Sequence, residues 1–221
     1  INIGSATPIN KLIPILKKYY PSFASMFYRY GSIQIRNVAT IGGNLGSASP
    51  IGDSLPVLLV LNAKIVLQSK KQRVIDTNKF FKSYRKTSLK SNEFIKEIKI
   101  PILKKYILKC YKISKRLDDD ISSVFVAYLL NLQNNFITDI QIAFGGMASI
   151  PKIANKTQKF LKGKKFNFTN LDKSRKFIEE DFKPLSDMRA SSEYRKLVSK
   201  NLIERLFIEI KTNKSHTIES A

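Results

Sequence analysis

Chemistry could first occur in this sequence where two adjacent glycines are flanked by hydrogen-bonding side chains. In the run Thr40, Ile41, Gly42, Gly43, Asn44 the glycines leave backbone N–H groups without side-chain cover. Such groups can approach a pyrophosphate or a cofactor ring closely. Thr40 and Asn44 add a hydroxyl and an amide at the edges. Asp53, nine residues on, can accept hydrogen bonds from the hydroxyls of a ribityl chain. A tight structural turn accounts for the same glycines. The spacing is not GxGxxG, because residues 42–46 read Gly-Gly-Asn-Leu-Gly, and it is not a P-loop, because no Gly-Lys-Ser/Thr follows.

A second candidate lies at residues 111–121, where Lys112, Lys115 and Arg116 precede Asp118, Asp119 and Asp120. Lys112 could face an anionic or electron-rich group, with the aspartates shaping the local field. Taken alone, the run is better read as a solvated charged turn, or as an aspartate capping the next element. Three consecutive aspartates rarely face one metal ion. Two further segments, residues 144–148 around Gly145 and Gly146 and residues 187–195, read mainly as structure. In the latter, Ser191 or Ser192 is placed to cap a helix and Arg189 to pair with an upstream carboxylate.

Cys110 is the only cysteine and His216 the only histidine. An intrachain disulfide, a four-cysteine iron–sulfur cluster and a clustered zinc site are therefore all excluded for this chain alone. His216 sits in a polar tail, a poor place for a positioned base. Cys110 shares a strand face with Leu108 and reads as core. No catalytic side chain and no metal ligand is expected, so a bound cofactor must carry any chemistry. The net charge of +22 suggests a polyanion partner. The basic residues are mostly lysine and are scattered, as an AT-rich genome would produce, so nucleic acid is not the expected partner. No apolar run reaches the length of a membrane span.

The positioning elements follow from periodicity. Residues 8–20 read as an amphipathic helix, with Thr7 as cap, Pro8 at the first position and Pro14 as a candidate kink. A second helix carries Phe23, Met26, Phe27 and Tyr30, and Gly31 stops it. Residues 32–54 show no helical period. Ser54 and Pro56 open another helix. Residues 63–68 and 73–76 form a hairpin, 77–83 a short helix, and 94–100 a strand. In that strand Phe94, Ile98 and Ile100 share one face, and Ile95, Glu97 and Lys99 the other. After a boundary near 102–105 come strands at 106–114, 122–132 and 137–144, with Asn134 and Asn135 as a turn. Helices at 153–161, 171–180 and 191–210 complete an α+β pattern of antiparallel sheet and then helices.

In this order the segments resemble the flavin subunit of the molybdenum hydroxylases. The stretch IRNVATIGGNLGSASPIGDSLPVLL looks like that family's second FAD-binding segment. The likeness continues through YKISKRLDDDIS, AFGGMA and DMRASSEYRKLVSKNL. KISKRLDDDIS is similar to bacterial xanthine dehydrogenase small subunits rather than to carbon monoxide dehydrogenase-type flavoproteins.

The resemblance implies part of a PCMH-type FAD-binding domain at residues 1–103. A CO dehydrogenase flavoprotein C-terminal-like domain at 104–212 and a polar tail at 213–221 would follow. It implies FAD contacts at Tyr30, Thr40, Ile41, Gly42, Gly43, Asn44, Asp53, Ile95 and Lys112, with Asp119 in a loop that tunes the flavin environment. It further implies a cytoplasmic enzyme component. Electrons from purine oxidation at a molybdenum cofactor on a partner subunit would pass through an iron–sulfur domain to FAD and then to NAD. An earlier glycine-rich FAD segment of the family is expected to lie outside this sequence. Two alternatives stand beside this reading. One is the FAD component of a hydroxylase acting on an aldehyde or N-heterocycle. The other is a truncated, non-catalytic remnant.

Overall fold

A computed structural model describes residues 1–117 and 119–214; Asp118 and the tail that holds His216 lie outside the described residues. The chain opens on a short strand, β1 (Asn2–Gly4), followed by helices α1 (Ile9–Tyr19) and α2 (Pro21–Tyr28). Ile9, Leu12, Ile13 and Leu16 recur at helical spacing and are buried. The cap of α1 differs from expectation. Pro8 is the N-cap residue and makes no side-chain cap bond, while the Ile9 N–H donates to the Ala39 carbonyl. A tertiary contact thus serves a first-turn donor that Thr7 was expected to serve. Pro14 lies inside the helix.

Residues 32–54, which show no helical period, nevertheless hold two short helices, α3 (Ile33–Val38) and α4 (Ile41–Gly46). Each is too short to display periodicity and each starts on a capping hydroxyl, Ser32 or Thr40. Helix α5 (Ser54–Val60) follows, and all seven of its residues are buried. A helix apolar on every side must be enclosed, and α5 packs against α4 and both long strands of the second sheet.

The first sheet is antiparallel with order β1-β6-β2-β3, from β2 (Lys64–Gln68), β3 (Gln72–Asp76) and, further on, β6 (Phe94–Lys99). Between β3 and β6 lie α6 (Thr77–Phe80) and a small hairpin, β4 (Phe81–Ser83) with β5 (Lys86–Thr87). The helix expected over 77–83 thus stops at Phe80. The expected faces of β6 also change. Ile95 pairs with Leu67 and Glu97 with Val66, which leaves Lys96 as an extra residue. This bulge turns Ile95 onto the same buried side as Ile98, and Phe94 is left 57% exposed.

The second sheet, order β10-β9-β8-β7, comprises β7 (Ile107–Ile113), β8 (Val124–Gln133), β9 (Phe136–Gly145) and a short edge strand, β10 (Lys152–Ile153). Asn134 and Asn135 both have positive φ, as a tight two-residue hairpin demands. Helices α7 (Asn155–Leu161), α8 (Phe168–Asp181) and α9 (Ser192–Thr212) cover one face. Strand alternation then divides β8 cleanly. Val124, Val126, Tyr128 and Leu130 point to the helical layer. Phe125, Ala127 and Leu129 point the other way and join the core of the first half. One sheet therefore closes two cores, in an α+β architecture.

Arg195 of α9 is 2% exposed and ties three segments together. Its guanidinium donates to the carbonyls of Ser123 and Gly146 and, at 2.6 Å, to Asp187. Arg189 reaches Asp187 only at 3.4 Å, so the main partner of that carboxylate is Arg195. Gly146 has φ of +81°, and a Cβ there would lie 2.4 Å from the Ser123 carbonyl oxygen. Cys110 packs beside Leu108 against the first core, and burial pushes its thiol up to about 12.

The Tyr128 hydroxyl is buried in the second core with no hydrogen-bond partner among the described residues. An unpaired buried hydroxyl costs roughly 1–3 kcal/mol. Tyr128→Phe is therefore expected to leave stability unchanged or to raise it in urea denaturation, and a clear loss would show that the hydroxyl is satisfied in solution.

Candidate functional site

The glycine pair sits in the first turn of α4, not in an isolated turn. Thr40 caps it, accepting from the Gly43 N–H at 3.0 Å. The Gly42 N–H donates to the Ser5 carbonyl at 3.0 Å. A Cβ on Gly42 would come 2.4 Å from the Ser5 Cβ, so this glycine exists to let α4 lie against the turn after β1. Gly43 is different. It is exposed, and the only neighbour its added Cβ would meet within 4 Å is the Thr40 hydroxyl oxygen at 3.1 Å. The two glycines thus do separate work, one facing the protein and one open to solvent. Both of these N–H groups already have acceptors.

From the same helix, the Asn44 amide joins three segments. Its nitrogen donates to the Tyr30 hydroxyl at 3.1 Å, and its oxygen accepts from the Ser54 hydroxyl at 2.6 Å and the Ser54 N–H at 3.3 Å. Tyr30 follows the end of α2, where Gly31 adopts φ of +61° and turns the chain. Burial, and then the negative charge of Asp53, raise the Tyr30 phenol above its usual value; the Asn44 bond acts the other way.

Asp53 precedes α5 and Lys112 lies in β7, and the structure joins them. The Lys112 ammonium donates to Asp53 Oδ2 at 2.6 Å, with the two side chains 4% and 6% exposed. The Ser122 hydroxyl donates to Asp53 Oδ1 at 2.5 Å. A buried charge pair needs this kind of additional hydrogen bonding to offset desolvation. Arg29, at the C-cap of α2, holds the loop after β7 from behind. It donates to the carbonyls of Lys112 and Leu117 and to the Ser114 hydroxyl, at 2.9–3.1 Å. Asp120 accepts from the N–H groups of Arg116 and Ile121, which makes it a turn-forming residue. Asp119 adopts φ of +50°. Among the described residues no group of three or more His, Cys, Asp or Glu could hold a metal ion.

These elements wall a cleft of about 550 Å³, within the range of small-molecule sites. Tyr30, Asn44, Asp53, Lys112, Asp119 and Ser122 line it. Thr40, Ile41, Gly42, Gly43 and Ile95 do not line it; they belong to α4 and the strand beside it, where Ile95 meets Gly46. Ile41 is fully buried, so only its backbone can serve a ligand. Ser122, Ser54 and Arg29 were not singled out from sequence. Serine is too common for its type to mark it, and Arg29 acts through backbone carbonyls distant in sequence. The residues before Asp53 contain no carboxylate side chain at all, a signal legible in the sequence. That stretch offers an anionic ligand no repulsion from acidic side chains. A second recess of about 480 Å³ shares Ser49 and Ile51 with the cleft and is lined by Tyr84, Arg85, Arg189 and Arg195.

Comparison with known proteins places this geometry. Residues 1–103 match the model of the FAD binding domain in molybdopterin dehydrogenase, and residues 109–210 that of the CO dehydrogenase flavoprotein C-terminal domain. The glyceraldehyde dehydrogenase medium chain of Sulfolobus acidocaldarius is 32% identical over 213 residues, which cover 95% of this chain and 75% of that one. The xanthine dehydrogenase of Emericella nidulans is 40% identical over 154 residues, covering 67% of this chain but only 11% of that protein. The solved carbon monoxide dehydrogenase from Hydrogenophaga pseudoflava superposes with a TM-score of 0.87 over 92% of this chain and 72% of its own, at 24% identity, a likeness of fold.

Lys112→Met is expected to cost about 3–5 kcal/mol, because it leaves Asp53 buried without its cation. Combining it with Asp53→Asn should recover most of that loss in urea denaturation. A coupling energy below about 0.5 kcal/mol would mean that the two groups are not paired in solution.

Proposed function

The chain belongs to the FAD-binding family of the molybdopterin dehydrogenases, with a CO dehydrogenase flavoprotein C-terminal domain behind it, and on that premise we propose that it relays electrons through FAD from iron–sulfur centres to NAD in a xanthine dehydrogenase-like hydroxylase. In this family the molybdenum cofactor and the iron–sulfur clusters reside on other domains or subunits. The observation that carries the reading is the cleft itself, where the Asp53–Lys112 pair and the Tyr30–Asn44 pair converge.

The residues fit the cofactor. Gly43 leaves an open surface, the stretch before Asp53 lacks carboxylates, and hydroxyl and amide groups border the cleft. FAD, when bound, supplies the reversible electron and hydride chemistry. Of Thr40, Ile41, Gly42, Gly43 and Asn44, Gly43 would hold it directly at the exposed surface of α4, with Thr40 and Asn44 at its edges, while the buried Ile41 and Gly42 would fix the turn that presents them. Asp53 and Tyr30 would offer polar and aromatic contacts, and Ile95 an apolar one through its place beside Gly46. Lys112 would place a cation by the ring, already half-neutralised by Asp53, and Asp119 would shape the loop that faces it. Residues 1–103 would form the FAD-binding domain, 104–212 the flavoprotein C-terminal domain and 213–221 a polar tail.

NAD as acceptor is supported by the recess next to the cleft. Arginine guanidinium groups suit phosphate, and Arg85 and Arg189 line that recess. Purine oxidation is supported by the likeness to the Emericella nidulans xanthine dehydrogenase. The likeness to the glyceraldehyde dehydrogenase medium chain, over nearly the whole sequence, favours an aldehyde as the second reading. Substrate choice rests with the molybdenum subunit in either case. Among the described residues no helix is long and apolar enough to cross a membrane; a cytoplasmic location is part of the proposal.

Two measurements test it. Titration with FAD should yield flavin absorbance and saturable binding, and Gly43→Val should weaken that binding by about tenfold or more while the fold survives, since valine is no poorer a helix former than glycine and its Cβ meets only the Thr40 hydroxyl. Failure of the parent protein to take up FAD would refute the relay. Arg85→Ala should raise the KM for NAD and leave turnover with an artificial dye acceptor unchanged; an unaltered KM would remove NAD from that recess.

A further inference from the structure

Ser122 is the last residue but one of the loop between β7 and β8 and is 1% exposed. A hydroxyl so enclosed needs an acceptor, and it finds Asp53 Oδ1 at 2.5 Å. The other carboxylate oxygen is taken by Lys112 at 2.6 Å. One donor on each oxygen holds a carboxylate against rotation. All three groups line the same cleft, and they come from the start of α5, from β7 and from the loop after it.

We infer that Ser122 is a positioning residue for the flavin site, fixing the Asp53 carboxylate and through it the Lys112 ammonium at the cleft wall. The inference rests on the FAD reading given above and adds a residue and a role to it. The hydroxyl also dilutes the negative charge of Asp53. Without it the carboxylate keeps more of that charge for the cleft, and Lys112 is drawn further into the pair. A more negative cleft holds FAD less tightly and disfavours placing electrons on it. The effect requires no contact between Ser122 and the ring.

The test compares Ser122→Ala, Ser122→Cys and Ser122→Thr in the full chain, with thermal melting monitored by circular dichroism as a check on folding. The readouts are the FAD dissociation constant and the flavin midpoint potential, neither of which is turnover. Ser122→Ala is expected to weaken FAD by about tenfold, the scale of one hydrogen bond to a charged group, and to move the potential in the negative direction. Ser122→Cys, with a poor donor of similar size, should follow it, and Ser122→Thr should restore both values. If Ser122→Ala does not fold, the Cys and Thr pair makes the same comparison. Should the wild-type chain bind FAD while all three variants match it in affinity and potential, the role of Ser122 is overturned and the FAD reading stands. If the wild-type chain binds no FAD, the site reading itself fails and takes this inference with it.

Discussion

Asp53 and Lys112 meet inside the protein, 59 residues apart in sequence and 2.6 Å apart in space. One precedes the enclosed helix α5 and the other lies in the first strand of the second sheet. Two buried charges are tolerable only together, because either one alone bears the whole cost of leaving water. The pair therefore pins the two halves of the chain in one relative position. It also sets one charged edge of the cleft between them, where Lys112 offsets Asp53 and the carboxylates of Asp119 and Asp120 stand nearby. The lysine is a source of positive field, and the carboxylate moderates that field at contact distance.

The packing around the pair explains how it can stay dry. Strand β8 presents alternate residues to two cores, so the second sheet is the common wall of both. Helix α5 lies against that wall with no face left for solvent. Burial of this kind contributes about 25 cal/mol per Å² of apolar surface removed from water. It supplies the rigidity that a buried ion pair needs and cannot provide for itself. From the far side of the sheet, Arg195 gathers the carbonyls of Ser123 and Gly146 and the carboxylate of Asp187. Ser123 is the neighbour of Ser122, so this anchor fixes the strand entry immediately beyond the hydroxyl that holds Asp53.

The glycines divide their work in a way their shared spelling conceals. Gly42 is demanded by Ser5, Gly146 by the Ser123 carbonyl and by Arg195, and Gly43 by neither a clash nor a positive φ. The acidic residues divide similarly. Asp53 lines the cleft as half of an ion pair, while Asp120 lines it from a turn that its carboxylate closes.

Much of the architecture was legible in the residues themselves. Periods of two and of three to four placed the strands and the longer helices, and the order of sheet and then helices implied the α+β class. The motif order pointed to a flavin-binding family that the comparisons then showed. These signals are local, since a strand or a long helix needs only its own sequence to display its pattern. Tertiary structure decided the rest. The bulge at Lys96 puts Ile95 in place of Phe94 on the buried side of β6, a shift in register that shows only in the pairing with β2. The helical start of α4 depends on a cap and on the Ser5 carbonyl, not on periodicity. The convergence of Asp53, Lys112 and Ser122 depends on how a sheet and an enclosed helix pack. Local pattern encodes what each segment is; proximity between distant segments arises only from packing, and it is proximity that makes the site.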